Sequence, residues 1–273
     1  MQIRRGGHGA SALILGLALI GGAAADTQPA APSSPTVLIT GSNRGIGLAL
    51  ANAYAAQSWH VIATCRDPEH ANELRALRAS HPNVVIETLD VVNSPSVSAL
   101  AAKYHGQPID VLINNAGIAG NYDGQLLGHF DEATFNEVMR VNTFAPMLVS
   151  SAFLDNVALS GQKKLVTISS ARGSIGTARE DHRVYFYDMS KASINMGMKL
   201  LASEVRSRGV LIGILTPGPV DTDLNRAARN GGPPPPELIS PTDSAARLVK
   251  LIDQLSPATS AHFINYKGEE VPW

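Results

Sequence analysis

The sequence predicts an α/β protein built on one doubly wound parallel sheet of about seven strands, with helices on both faces. Three observations carry that expectation. Short β-branched, apolar runs alternate with stretches of helical spacing along residues 36–273, the pattern of a parallel sheet covered on both sides. The first run, "TVLIT", passes into a helical stretch through a turn that carries Gly41, Gly45 and Gly47. The chain has 273 residues, 44% of them apolar and 16% charged, enough to bury such a sheet as a single domain. Crossovers between parallel strands are right-handed, so the expected product is a Rossmann-type sheet.

Each element can be justified in order. "TVLIT" (36–40) reads as a strand buried on both faces, and "GIGLALANAYAAQ" (45–57) as the helix after it. "HVIATC" (60–65) is a second strand, "PEHANELRALRAS" (68–80) a charged amphipathic helix, and "NVVIETLD" (83–90) a third strand. "SPSVSALAAKYH" (94–105) opens with Ser and Pro, residues suited to a helix start. "DVLINNAG" (110–117) is the fourth strand and its turn, and residues 131–159 make a long helix with an interruption expected near Pro146. "KLVTISS" (164–170) is strand five, and residues 187–207 hold a helix with Tyr187 in its first turn. "VLIGILTPG" (210–218) is strand six, "TDSAARLVKLIDQL" (242–255) a helix, and "AHFINY" (261–266) a last short strand. Residues 221–240, "DTDLNRAARNGGPPPPELIS", break the rhythm. Paired glycines and four consecutive prolines there predict a loop or lid rather than a helix or central strand.

Residues 1–25 differ from the rest. "MQIRRGGHGA" carries two arginines, "SALILGLALIGG" is apolar, and Ala23 and Ala25 stand before Asp26. That is the three-part layout of a secretory signal peptide, and its apolar run is short for a span, which needs roughly 20 residues. Arg4 and Arg5 admit a twin-arginine export signal, while the alternative is an N-terminal extension on a cytoplasmic protein. Residues 26–35 read as a flexible Pro/Ser/Ala linker, leaving 36–273 as the folded domain. A net charge of −1 offers no footprint for nucleic acid or an anionic membrane, so the expected partner is a small molecule. One cysteine, Cys65, and no H-x-x-x-H pair argue against a disulfide framework and a metal site.

Two motifs carry the chemistry. Gly41, Gly45 and Gly47 lie between a strand and a helix, where glycine lets the backbone approach a pyrophosphate seated on the helix N-terminus. Their spacing is G-x-x-x-G-x-G, not the G-x-G-x-x-G of many dinucleotide folds. In "VYFYDMSKAS" (184–193), Tyr187 and Lys191 stand four apart, one helical turn, so phenol and ammonium rise on one face. A tyrosine hydroxyl has a pKa near 10, and a neighbouring cation favours the phenolate, moving it towards a useful acid/base.

Taken together these stretches resemble the short-chain dehydrogenase/reductase family. Thr40 to Gly47, "NNAG" at 114–117, Asn142 in "RVNTFAP", Ser169 and Ser170, Tyr187 with Lys191, and "PG" at 217–218 follow in the family's order over residues 36–273. "TCRDP", "SSARGSIG" and the tail "FINYKGEEVPW" resemble the C-factor and sniffer-type carbonyl reductases within it. The resemblance implies a carbonyl reductase or alcohol dehydrogenase that transfers hydride between a nicotinamide dinucleotide and a small carbonyl or alcohol. Tyr187 would be the acid/base, Lys191 its partner, Ser170 the donor that polarises the carbonyl, and Asn142 the holder of a water linking Lys191 to solvent. Ser169 competes with Ser170, and the spacing of 17 from Ser170 to Tyr187 leaves an inserted loop, "ARGSIGTAREDHRV" (171–184).

The cofactor wall implied by the resemblance comprises Gly41, Asn43, Arg44, Gly45, Ile46 and Gly47 in the first turn, with Arg66, Asp90 and Val91 beyond it. Asn115, Ala116 and Gly117 continue it, with Tyr187, Lys191, Pro217, Gly218, Val220 and Thr222. Asn115 would tie strands together and Thr222 would hold the nicotinamide carboxamide. In this fold an acidic residue ending strand two selects NAD. Cys65 and Arg66 stand there instead, with Arg44 nearby, and two guanidinium groups suit a 2′-phosphate, hence NADP(H). The alternative is Asp67 at that place, which would select NAD(H). The rival function is a non-catalytic, dinucleotide-binding signalling or regulatory protein. The resemblance further implies a homodimer or homotetramer, although related carbonyl reductases can be monomeric; no metal and no stable membrane insertion after signal removal are expected from the composition.

Overall fold

Alternation within the first strand sets the layers. The computed structural model describes residues 1–2, 6–7, 34–178 and 184–273. The expected signal peptide, apart from those four N-terminal residues, lies outside the described residues, as do linker residues 26–33 and residues 179–183 of the inserted loop. In the unit Ser34–Trp273, β1 (Thr36–Ile39), β2 (His60–Cys65), β3 (Val84–Thr88), β4 (Val111–Asn114), β5 (Lys164–Ile168), β6 (Leu211–Thr216) and β7 (Phe263–Asn265) form one sheet. Its order is β3-β2-β1-β4-β5-β6-β7 and every pairing is parallel. Around it run α1 (Gly45–Ala56), α2 (Asn72–Ser80), α3 (Ser94–Lys103), α4 (Glu132–Met139), α5 (Ala145–Leu159), α6 (Tyr185–Val205), α7 (Asp223–Arg229) and α8 (Pro241–Asp253).

Val37 and Ile39 of β1 enter one core with Leu50 and Tyr54 of α1, Leu74 of α2, and Leu248 and Ile252 of α8. Leu38, between them, enters the other, with Val97 of α3, Phe153 of α5, and Ile194 and Met198 of α6. That is the period of two expected of a strand covered on both faces. Burying each such side chain stabilises the fold by about 1.5–3 kcal/mol. Phe153 is fully buried, so its truncation to alanine is expected to cost about 3–5 kcal/mol.

The long helix is interrupted near Pro146 as expected, by a π-helical turn over Arg140–Phe144 just ahead of it. Pro146 has no N–H to give to the Asn142 carbonyl four residues back, and the wider turn accommodates that loss. One expectation needs correction: residues 221–240 are not loop throughout, because Asp223–Arg229 form α7. Thr222 caps it, accepting from Asn225 N at 3.2 Å, and Asn230 ends it in the left-handed conformation. The glycines and prolines that suggested a loop all follow that stop.

The strand order reverses between β1 and β4. A crevice therefore opens at the carboxyl ends of those two strands, where such sheets bind ligands. The glycine turn leaves β1 there and "NNAG" leaves β4.

Candidate active site

The first wall of the crevice is made of backbone. At Gly47 a Cβ would collide with the Gly41 carbonyl oxygen and stand 2.5 Å from Asn115 Nδ2, so no larger residue fits this helix start. Gly45 has φ +56 and faces Thr222 Cγ2. Asn115 closes the turn from the β4 side: its Nδ2 donates to the carbonyls of Thr40 and Gly41 at 2.9 and 3.1 Å, as expected of a strand tie. Helix α1 begins with no side-chain cap and no acidic residue in its first turn. Its N–H groups and positive dipole end are thus uncompensated by the chain itself, the requirement for a bound phosphate. These residues fit a dinucleotide.

At the rim, β2 ends at Cys65 and the exposed Arg66 comes next. The exposed Asp67 carboxylate lies 2.7 Å from His70 Nδ1 and accepts from His70 N at 3.3 Å. Arg44, largely exposed, reaches Asp223 Oδ2 at 3.5 Å. Asp90 accepts from Val92 N at 3.2 Å at the turn leaving β3, with Val91 beside it. On the opposite side, Thr222 caps α7 as described. Val220 bridges to Ile239 after the Pro217–Gly218 turn that leaves β6. Asn43 and Ile46 lie within the glycine turn.

The second wall gathers the four expected catalytic candidates. Tyr187 and Lys191 are buried on α6, with Lys191 Nζ 5.7 Å from the Tyr187 ring centre and donating to the Ile168 carbonyl at 3.0 Å. Ile168 ends β5, so this bond fixes the helix against the strand that delivers the serines. Ser169 is buried and donates to Asn195 Oδ1 at 2.6 Å. Ser170 instead lines the open cavity, accepting from Arg172 N at 3.2 Å. The competition between the two serines is thereby a matter of direction: only Ser170 faces the ligand space. Asn142 sits in the π-helical turn, its side chain donating to the Ile118 carbonyl and to Ser190 Oγ and accepting from Ile118 N. A Cβ on Gly117 would stand 3.3 Å from Asn142 Oδ1 and 3.8 Å from Lys191 Nζ, so the three meet at one point.

Burial dominates the electrostatics. It pushes the Tyr187 phenol up from its ordinary value, against the downward pull of a Ser170 hydrogen bond and the Arg172 charge. Lys191 has no carboxylate beside it among the described residues, and burial lowers its ammonium to about 8. Asp188, beside Arg172 at 3.3 Å, is pushed up to about 6 because burial outweighs that ion pair. The expected lowering of the phenol by Lys191 is therefore not what governs the coenzyme-free site: burial raises the phenol, and Ser170 and Arg172 supply the opposing pull.

Ser170 opens into a cavity of about 1270 Å³, walled by the 171–178 segment, α6, α7 and the chain's last residues. Ser174 Oγ donates to the Pro272 carbonyl and Gly176 N to that of Trp273, and the Trp273 ring stacks on Phe263. The tail thus forms a fixed wall rather than a free end. Ile175, Met189, Pro219 and Val271 make much of the lining apolar.

Comparison with known proteins agrees with this geometry. The sequence profile of the short chain dehydrogenases matches residues 35–232. The chain belongs to the short-chain dehydrogenase family. C-signal of Myxococcus xanthus is 36% identical over 166 residues, covering 61% of this chain and 93% of that protein. The crystal structure of NADPH-bound carbonyl reductase from chicken fatty liver superimposes with a TM-score of 0.80 at 33% identity, covering 88% of this chain and 99% of that one. Carbonyl reductase Sniffer of D. melanogaster gives 0.77 at 28% identity, covering 88% and 100%. The narrower resemblance to C-factor and sniffer-type proteins is borne out.

Within this short-chain dehydrogenase site, three residues escaped the sequence reading. Gln125 is fully buried; its Oε1 accepts from Tyr187 N at 2.8 Å while its amide donates to the carbonyls of Ala119 and Asn121. It caps the start of α6, which has no local side-chain cap. Asn195 holds Ser169 and the Gly173 carbonyl together. Arg172 pairs with Asp188 in the cavity wall. Only Arg172, next to the serines in "SSARG", left a local signal.

Proposed function

We propose that this chain is an NADP(H)-dependent carbonyl reductase, reversible towards alcohol oxidation, with Tyr187 as its acid/base. The observation that carries the reading is the convergence of Ser170, Tyr187 and Lys191 beside a glycine turn that leads into an uncapped helix. Preference for NADP(H) over NAD(H) rests on three supports. Arg44 and Arg66 are exposed at the rim, the Asp67 carboxylate is engaged by His70, and a structural relative binds NADPH.

When bound, the coenzyme supplies the hydride that reduces the carbonyl carbon and leaves as its oxidised form. The chain's own residues handle the oxygen. Ser170 donates a hydrogen bond that orients and polarises it, and Tyr187 gives up its phenolic proton to it, so the carbonyl gains one hydride and one proton. Lys191, cationic below about 8, stabilises the phenolate left behind. A water held by Asn142 would return the proton through Lys191 from solvent.

Oxidation of NADPH is to be followed against aldehydes, ketones and quinones, with kcat/KM compared for NADPH and NADH. Tyr187→Phe should keep coenzyme affinity and lose about 10²-fold or more in kcat. A wild-type protein that binds NADPH and turns over nothing would favour a signalling or regulatory role. A strong NADH preference would reverse the coenzyme assignment. We also propose export directed by residues 1–25, tested by cell fractionation and sequencing of the mature N-terminus; an uncleaved cytosolic product refutes it.

A further inference from the structure

Five charged side chains among the described residues line the large cavity: Arg172, Asp188, Arg229, Glu237 and Glu270. Three of them have an opposite charge within reach: Arg172 pairs with Asp188 at 3.3 Å and Glu237 with Lys267 at 3.3 Å. Glu270 has the His262 imidazole at 3.5 Å, a countercharge only when protonated. Arg229 has no acidic partner among the described residues. Its Nε donates to Asn225 Oδ1 at 2.8 Å and its Nη1 to the Gly232 carbonyl, both neutral acceptors.

These two bonds hold the guanidinium without neutralising it. A guanidinium carries five N–H donors in a planar fork, so three stay available for a ligand. Arg229 closes α7 and is half-buried, so its charge is less screened than that of a fully exposed side chain. Ser170 and Arg229 line this one cavity, which also reaches Pro217 and Gly218 of the cofactor wall, whereas the glycine-turn residues 41–47 do not line it. The same lining includes the apolar Ile175, Met189, Pro219 and Val271.

We propose that the physiological substrate is a carbonyl compound carrying a carboxylate on an apolar chain, with Arg229 receiving the carboxylate while the carbonyl lies at Ser170 and Tyr187. This deepens, and rests on, the carbonyl-reductase reading. A bidentate, charge-assisted pair of this kind is geometrically specific.

The test compares a homologous series of ω-oxo carboxylates with their methyl esters. At the chain length that fits, the acid should show about 10- to 100-fold higher kcat/KM than its ester. Arg229→Gln should remove that advantage, chiefly through KM, while leaving the ester and the coenzyme Kd little changed. Arg229→Lys should retain part of the advantage, and circular dichroism verifies that both variants fold. A loss shared equally by acid and ester, or a weakened coenzyme affinity in Arg229→Gln, overturns the inference. Calorimetric titration of coenzyme-loaded protein with decanoate and with decanamide separates the two readings. Arg229-dependent preference for decanoate in a protein that reduces no carbonyl would sink the reductase reading and leave the recognition site standing. No preference for the acid in either assay overturns the recognition site.

Discussion

Replacing Lys191 by methionine should make the coenzyme-free protein more stable near neutral pH while destroying its activity. Lys191 is buried, donates to one neutral carbonyl, and has its ammonium lowered from 10.5 to about 8 by burial. That displacement corresponds to about 3 kcal/mol of cost for holding the charged form. The unfolded chain binds this proton up to 10.5 and the folded chain only to about 8, so below 8 the native state bears the whole cost. Stability then rises with pH by about 1.4 kcal/mol per unit across that window, and above 10.5 the penalty is gone. Methionine fills similar space without charge but orphans the Ile168 carbonyl, at about 1–3 kcal/mol. Near pH 7 the variant should therefore come out ahead by about 1 kcal/mol, or about 2–4 °C in Tm. Near pH 10 the order should reverse, because the wild type has by then recovered most of its penalty. Thermal unfolding of both proteins from pH 6 to 10 reads the difference, in which other titrations cancel. A variant less stable by the same amount at every pH refutes the reasoning, for it would mean that the buried ammonium is not what the native state tolerates.

The same logic extends to three other positions. Asp188, raised to about 6, contributes stability that is complete below its unfolded value near 3.9 and lost as pH rises through about 6. Asp188→Asn should thus gain about 2 kcal/mol over wild type at pH 7.5 and nothing below pH 4, read by urea unfolding. Lower stability at pH 7.5 would show that the Arg172 pair outweighs burial. Gln125→Leu leaves the Tyr187 N–H and two carbonyls unpaired and should cost about 3 kcal/mol. It should also lower kcat and shift the upper pH limb of the rate profile, because Tyr187 loses its anchor, while coenzyme Kd holds. An unchanged profile in the folded variant would reduce Gln125 to a structural role. Asn195→Ala frees Ser169 and the Gly173 carbonyl, so the 171–178 wall should loosen, raising KM more than it lowers kcat. A kcat loss at constant KM would place its effect on Ser170 instead.

The strands were legible because burial on both faces forces apolar, β-branched runs, and "TVLIT", "HVIATC" and "VLIGILT" are such runs. Helix α7 was not, because its seven residues stand against the glycines and prolines of 231–236, whose signal is stronger than that of one short amphipathic turn. Site residues were legible where chemistry depends on local spacing: Tyr187 and Lys191 share a face whatever the tertiary structure does. Gln125 was not, since it lies 62 residues from the Tyr187 N–H that it receives. No spacing rule reaches across the gap between β4 and α6. Arg229 was hidden for a different reason. Its importance lies in a missing countercharge, and only the assembled cavity shows which charges are paired.

The acidity of Tyr187 marks where sequence reasoning stops. From spacing alone, a lysine one turn away lowers a phenol. In the folded site both groups are instead driven towards their neutral forms, the phenol up and the ammonium down, by the same burial. A buried phenol facing a hydroxyl and a guanidinium is a proton held in reserve. On the proposed reading it would be released when a coenzyme bound at the uncapped start of α1, beside the exposed rim arginines, brings further positive charge. The protein's own charges therefore leave the acid short of neutrality, and its competence should appear only with coenzyme in place. The Tyr187 phenolate absorbance, titrated with and without NADP⁺, measures this directly: its midpoint should fall on binding, and a midpoint unmoved by the oxidised coenzyme would show that the charge balance lies elsewhere.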